Sequence, residues 1–234
     1  MPAFFCFHMS RALGEDRPFY GVDPFDLENS PVPPPFTAIA ARHADLIRRV
    51  QPAGPYLLGG WCNGALLAYE IACQLQAQGE QVEHLMLLDP VYLRYPRRLV
   101  RIRNLISTAA RLARADEAAQ LNFYLWIRQQ LRLLRHVKSY VTSRPYRKSS
   151  RLFPFGREDY PGVYDWTAMR YVPAHPYRGT ISILWSAGQP FRSGWREIEG
   201  GAACDVHVLT GTHETCLNQD LPELVEQMRR STPG

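Results

Sequence analysis

Long apolar runs are missing from this chain of 234 residues. That excludes a helix able to span a bilayer, which needs roughly 18 or more consecutive apolar residues. The opening Met1-Pro2-Ala3-Phe4-Phe5-Cys6-Phe7-His8 has no basic segment ahead of its apolar residues and no small-residue cleavage site. It does not read as a signal peptide, and a cytoplasmic location is expected. Cysteine is sparse: five residues, an odd count, with no CxxC pair. Neither a zinc site nor a disulfide framework is expected, and a reduced compartment is the simplest setting. Acidic residues are almost absent from one stretch. Between Val91 and Arg157 only Asp116 and Glu117 face sixteen lysines and arginines, so the rest of the chain is acidic on balance. No recognised nucleic-acid motif is present there, so nucleic acid is not an expected partner.

What is present alternates between strand-like and helix-like segments. Ala3–His8 reads as a short buried strand and Pro18–Val22 as the next. Asn29–Phe36 carries four prolines and reads as a loop. Thr37 is placed to cap a helix whose apolar positions are Ile39, Ala40, His43, Leu46, Ile47 and Val50. Tyr56–Gly59 follows as a short central strand, then a helix from about Asn63 to Gln78 that stops at Gly79, then an apolar strand Val82–Leu88. This strand–helix–strand unit is what a parallel sheet requires. From Val91 to about Tyr171 the alternation breaks. Leu99–Val141 reads as two helices with an apolar stripe of Leu105, Ile106, Leu112, Leu121, Phe123, Leu125, Ile127, Leu131 and Leu134. Ser143–Val163 reads as a connector. Strands resume at Thr180–Trp185 and Asp205–Leu209, and Asp220–Arg229 closes as an amphipathic helix. The expectation is a single α/β domain over residues 1–234, with a mostly parallel central sheet flanked by helices and a helical insertion over 91–171.

One segment carries chemistry. Gly60-Trp61-Cys62-Asn63-Gly64 follows a strand and opens a helix, the context of a nucleophile elbow in the α/β-hydrolase fold. Gly60 and Gly64 would relieve crowding in the turn, the N–H of Asn63 would face a developing oxyanion, and a helix N-terminus favours a thiolate. A thiol nucleophile needs a base and a group to orient it. His213, in the loop after the last expected strand, fits best. His8, at the end of the first expected strand, is a weaker rival. The acid has two stations in this fold. After Trp185 the sequence reads Ser186-Ala187-Gly188-Gln189-Pro190, with no carboxylate. After the strand that follows the elbow helix stands Asp89, which takes the role.

With these residues placed, the chain resembles the thioesterase domains of nonribosomal peptide and polyketide synthetases, as a variant with Cys at the nucleophile. The likeness runs through Arg17–Val22, Gly54–Gly64, Ala68–Ala72, Leu87–Asp89 and Gly211–Leu217. It implies a Cys62, Asp89, His213 triad and an acyl group carried on a carrier protein's phosphopantetheine, with no further cofactor. It makes the insertion a lid, and an acidic carrier protein suits the basic stretch. Hydrolysis, transfer and cyclisation are all open outcomes. The chain departs from the family after His8, where the usual glycine-rich loop is replaced by Met9-Ser10-Arg11-Ala12-Leu13-Gly14. Met9 or Ser10 is then the expected source of the second oxyanion N–H. A shortened loop also leaves open a non-catalytic carrier-binding protein.

Overall fold

Val82–Leu88 is buried at every position but Glu83, the pattern of a strand covered on both faces. In the computed structural model this strand (β2) is second in a four-stranded sheet ordered β1-β2-β3-β4, with every neighbouring pair parallel. The other strands are β1 (Tyr56–Trp61), β3 (Thr180–Trp185) and β4 (Cys204–Val208). The structure describes residues 4–15, 18–27, 29–30, 32–141, 159–187, 194–195 and 204–231.

The helices in chain order are α1 (Phe4–Leu13), α2 (Phe36–Val50), α3 (Asn63–Ala77), α4 (Arg97–Leu112), α5 (Glu117–Val141), α6 (Tyr160–Ala168) and α7 (Leu221–Ser231). The chain divides into two compact units. The first holds the sheet with α1, α2, α3 and α7; the second, formed by Asp26–Pro35 and Tyr95–Tyr171, holds α4, α5 and α6.

In the sheet unit, α3 is the crossover that makes β1 and β2 parallel, and α2 packs beside it. Met86 and Leu88 alternate with Leu85 and Leu87, so they share one sheet face. There they join Leu184, Leu209, Cys216 and Leu217 with Met9 of α1 and Leu224 of α7. Each such leucine contributes about 1.5–3 kcal/mol when fully buried.

In the helical unit, Leu121, Tyr124 and Leu125 of α5 are buried. Arg128 ties α5 to α6 through Asp159 (2.8 Å) and Asp165 (2.9 Å), and Tyr95 donates to Asp165 at 2.8 Å. Asp159 caps α6, accepting from the N–H of Gly162. No described helix is long and apolar enough to cross a membrane.

Several sequence expectations change. The first strand is instead a helix, α1. A run of four or five apolar residues does not distinguish the two, and the deciding residues lie later. Met9 and Leu13, four apart, face the shared cluster, while Phe7 is half-exposed. Arg229 donates to the carbonyls of Ala12 and Leu13 and so caps the helix. Pro18–Val22 makes no strand; Phe19, Tyr20 and Val22 are exposed. With neither expected strand present among the described residues, β1 lies at the sheet edge rather than its centre.

Helix α2 begins at Phe36, one residue before Thr37, and buries Ala44 in place of Leu46 and Val50. The stripe expected on α4 and α5 is split. Ile106, Leu121 and Leu125 are buried, whereas Leu105, Leu112, Phe123, Leu131 and Leu134 are exposed. The connector expected over Ser143–Val163 ends in helix α6; residues 142–158 fall outside the described ones.

Candidate active site

Cys62 stands between the end of β1 and the start of α3 with φ 55° and ψ −114°. A left-handed φ is costly for a residue with a side chain and persists only where the surroundings impose it. Here both backbone groups are held. The N–H of Cys62 donates to Leu88 O at 2.9 Å, and its carbonyl accepts from Ala65 (3.2 Å) and Val91 (3.3 Å). Gly60 is required by the same turn: a Cβ there would overlap the Gly64 carbonyl and come within 2.6 Å of Ala65 N. Gly64 differs from the sequence expectation, since a Cβ added to it meets nothing within 4 Å. Its backbone, not its missing side chain, is what crowds Gly60. Asn63 is the first residue of α3, so its amide belongs to the positive end of that helix.

Asp89 occupies the matching place after β2 and also has a left-handed backbone, φ 45°. Among the described non-glycine residues only Cys62, Asp89 and Arg114 have positive φ, so two of the three lie in this site. The Asp89 side chain is buried, and its Oδ2 meets Nδ1 of His213 at 2.8 Å. Ser186, one residue beyond β3, donates its backbone N–H to Asp89 Oδ1 at 2.6 Å and its hydroxyl to Oδ2. Burial would raise the Asp89 pKa. The hydrogen bonds from His213 and Ser186 more than offset this, and the carboxyl is held below its ordinary range.

His213 is carried by a turn that the sequence builds locally. The N–H groups of Thr215 and Cys216 donate to Thr212 O, and Thr212 N donates to the Thr215 hydroxyl. Ala187 N donates to Gly211 O at 2.7 Å, fastening this loop to the end of β3. A Cβ on Gly211 would fall 2.5 Å from Asp220 Oδ2. The imidazole stacks on the indole of Trp61, with centroids 4.7 Å apart and planes 23° apart. Its pKa is pushed up to about 9, first by the hydrogen bond to Asp89, then by one to Cys62, against the opposing effect of burial.

The structure therefore brings Cys62, Asp89, His213 and Asn63 together at the C-terminal ends of β1 and β2. It does not bring Met9 to them in the expected role. Met9 is buried inside α1, where a backbone N–H is committed to the carbonyl four residues earlier. Ser10, the other candidate, lies in the same helix. His8 is exposed on α1. Two residues escaped the sequence reading. Ser186 fills the acid station that looked empty, and a hydroxyl there is a donor suited to a carboxylate held by the neighbouring strand. Trp61 was legible only as a motif position. Among the described residues no group of His, Cys, Asp and Glu side chains could hold a metal.

A parallel sheet with a cysteine in a left-handed turn between strand and helix, an aspartate at the next strand end and a histidine on a later loop is the α/β-hydrolase arrangement. The chain belongs to the thioesterase domain family, whose profile matches residues 7–141, more than half of its length. It is 45% identical over 85 residues to an indigoidine synthase of Dickeya dadantii, covering 35% of this chain and 6% of that protein. It is 44% identical over 79 residues to a non-reducing polyketide synthase of Cladonia metacorallifera, covering 33% and 4%. The matches thus span a small part of these curated relatives. Two solved folds are similar. The RedJ thioesterase from the prodiginine pathway of Streptomyces coelicolor has TM-score 0.60 and 16% identity, over 99% of this chain and 86% of that one. The NocB thioesterase domain, in covalent complex with a nocardicin G analogue, has TM-score 0.55 and 22% identity, over 91% and 82%.

Proposed function

We propose that this chain is an acyl-thioesterase or acyltransferase that takes a peptidyl or polyketidyl group from a carrier protein's phosphopantetheine through a Cys62 acyl-enzyme. The observation that carries this reading is the His213–Asp89 hydrogen bond of 2.8 Å beside a thiol on a strained elbow. His213 removes the Cys62 proton, and the thiolate adds to the thioester carbonyl carbon. The N–H of Asn63, at the head of α3, receives the oxyanion. Collapse breaks the bond to the pantetheine sulfur, which leaves with the proton from His213. Asp89 stabilises the imidazolium throughout. His213 then deprotonates water, an alcohol or an amine, which attacks the Cys62 thioester and frees the thiol.

Because the intermediate is itself a thioester, the acyl group keeps its reactivity, which favours transfer or cyclisation beside hydrolysis. Cys62→Ser is expected to raise the share of free acid among the products; an unchanged product ratio would count against transfer. The helical unit is assigned the lid role. The sixteen basic residues between Val91 and Arg157 support an acidic carrier as the partner. Salt should slow transfer from a carrier more than from a small pantetheine thioester. Equal slowing removes the docking assignment.

A second reading rests on α1, which stands where a first strand and its oxyanion loop were expected and leaves one oxyanion donor in view among the described residues. On this reading the chain binds an acylated carrier without turning it over. Intact-mass measurement after incubation with acyl-pantetheine separates the two. A Cys62 adduct that disappears on adding a nucleophile supports the enzyme, whereas no adduct at any time supports the binding protein.

A further inference from the structure

Arg103 in the helical unit is 4% exposed, and its Nη1 has no hydrogen-bond partner among the described residues. Its Nε donates to Trp166 O at 3.1 Å, and its guanidinium carbon lies 4.2 Å from the centre of the Trp166 ring. Ser107, one turn further along α4 and so on the same helix face, is 6% exposed, and its hydroxyl is also without a partner. Trp166 itself is 2% exposed, and its indole Nε1 is a third unpartnered donor. Tyr124 packs against Trp166, their ring centres 5.2 Å apart.

Buried donors are nearly always paired, and a buried charge without a counter-charge costs several kcal/mol. No ion pair to Arg103 is formed among the described residues. Burial, the largest influence, lowers its pKa to about 10, with repulsion from Arg170 acting in the same sense and Glu117 attracting it without forming an ion pair. The unfilled valences are an arginine N–H, an indole N–H and a hydroxyl. This set is short of acceptors, and what it lacks is an oxyanion. In such a set the arginine supplies the charge, and the indole and hydroxyl add neutral donors.

We propose that Arg103, Ser107 and Trp166 form a binding site for a carboxylate or phosphate group within the helical unit. Its existence does not depend on the proposed catalytic role of Cys62.

The test uses the whole chain and three probes at matched ionic strength: inorganic phosphate, acetate and chloride. Thermal unfolding is followed as each is titrated. The midpoint is expected to rise saturably with phosphate, with acetate or with both, but not with chloride. A response to phosphate alone assigns a phosphate ligand, and one to acetate alone a carboxylate ligand. Ser107→Ala removes one donor with almost no change in volume, and Trp166→Phe removes another with a smaller ring, so each variant is compared with its own anion-free midpoint. Each should weaken half-saturation by roughly three- to tenfold, a hydrogen bond's worth. Arg103→Gln should abolish the response. Absence of any saturable, anion-specific rise in the parent chain overturns the proposal. So does a rise that Ser107→Ala and Trp166→Phe both leave unaltered, since that would place the anion elsewhere.

Discussion

Ser186 donates twice to Asp89, through its backbone N–H at 2.6 Å and through its hydroxyl. The Asp89 carboxylate is therefore oriented from the strand on the far side from Cys62. Ser186→Ala removes the hydroxyl bond and keeps the amide bond. A hydrogen bond to a charged group contributes about 1.5–3 kcal/mol, so kcat/KM for an acyl-pantetheine should fall roughly ten- to hundredfold. The KM should change little, because Ser186 bonds Asp89 and not the thioester. Steady-state kinetics on parent and variant check this, and a change confined to KM would contradict it.

Trp61 should matter through His213. Its indole stacks on the imidazole, and an aromatic face favours the cationic ring by about 0.5–2 kcal/mol. Trp61→Leu is expected to slow acylation about three- to tenfold and to move the histidine limb of the pH profile towards lower pH. Trp61→Phe should restore most of both. Loss of rate with an unmoved pH profile would show Trp61 to be packing only.

The His213 pKa, raised from 6.5 to about 9, gives stability a direction in pH. A raised histidine pKa means that the folded state holds its proton more tightly. The stabilisation is complete below about pH 6.5 and is lost as pH climbs through about 9. The difference is on the order of 3 kcal/mol. Asp89→Asn removes the largest cause of the shift, so its stability should fall less steeply than the parent's between pH 6.5 and 9. Asp89 acts in the opposite sense, its stabilisation being lost as pH drops through and below the carboxylate range. Urea unfolding across pH 3–10 would expose both limbs.

Two glycines of the elbow should respond differently. Gly60→Ala forces a methyl group into the Gly64 carbonyl and to within 2.6 Å of Ala65 N, all backbone. It should cost about 1–3 kcal/mol or more and abolish Cys62 acylation. Gly64→Ala points its methyl into open space inside a helix, where alanine is favoured over glycine by about 1 kcal/mol. Its activity should stay within about twofold of the parent. Thermal melts and Cys62 adduct formation distinguish the pair.

The parts read correctly from sequence were those where local pattern and tertiary fate agree. Val82–Leu88 and Thr180–Trp185 are short, mainly apolar segments, and both strands have those bounds. The elbow was legible because a strand, a glycine-flanked cysteine and a helix follow in immediate succession. Asp89 was expected by elimination, and its carboxylate does meet His213. Ser186 was not, because the reading looked for a carboxylate, and a donor to a carboxylate leaves no such trace. The helix over Phe4–Leu13 was missed because Phe5, Cys6 and Phe7 carry the β pattern, whereas Met9, Leu13 and the distant Arg229 decide the outcome. The exposure of Leu105 and Leu112 was hidden for a related reason. Periodicity locates a stripe on a helix without saying whether anything covers it.

The ladder continues one step past the strands. Trp61 is in register with Leu88 and Leu88 with Leu184, and the residues that follow are bonded in turn, Cys62 N to Leu88 O and Asp89 N to Leu184 O. Cys62 and Asp89 thus stand level on adjacent strands, one position past the strand ends, and Ser186 follows Trp185 on the third. Their spacing is inherited from strand pairing rather than set by loops. Exchanging the reactive atom at position 62 leaves that spacing intact, whereas deleting one residue inside β1 or β2 turns every following side chain to the opposite face. Under the proposed function, register becomes a catalytic parameter, and the sites most open to redesign of the chemistry sit on the framework least tolerant of a change in length.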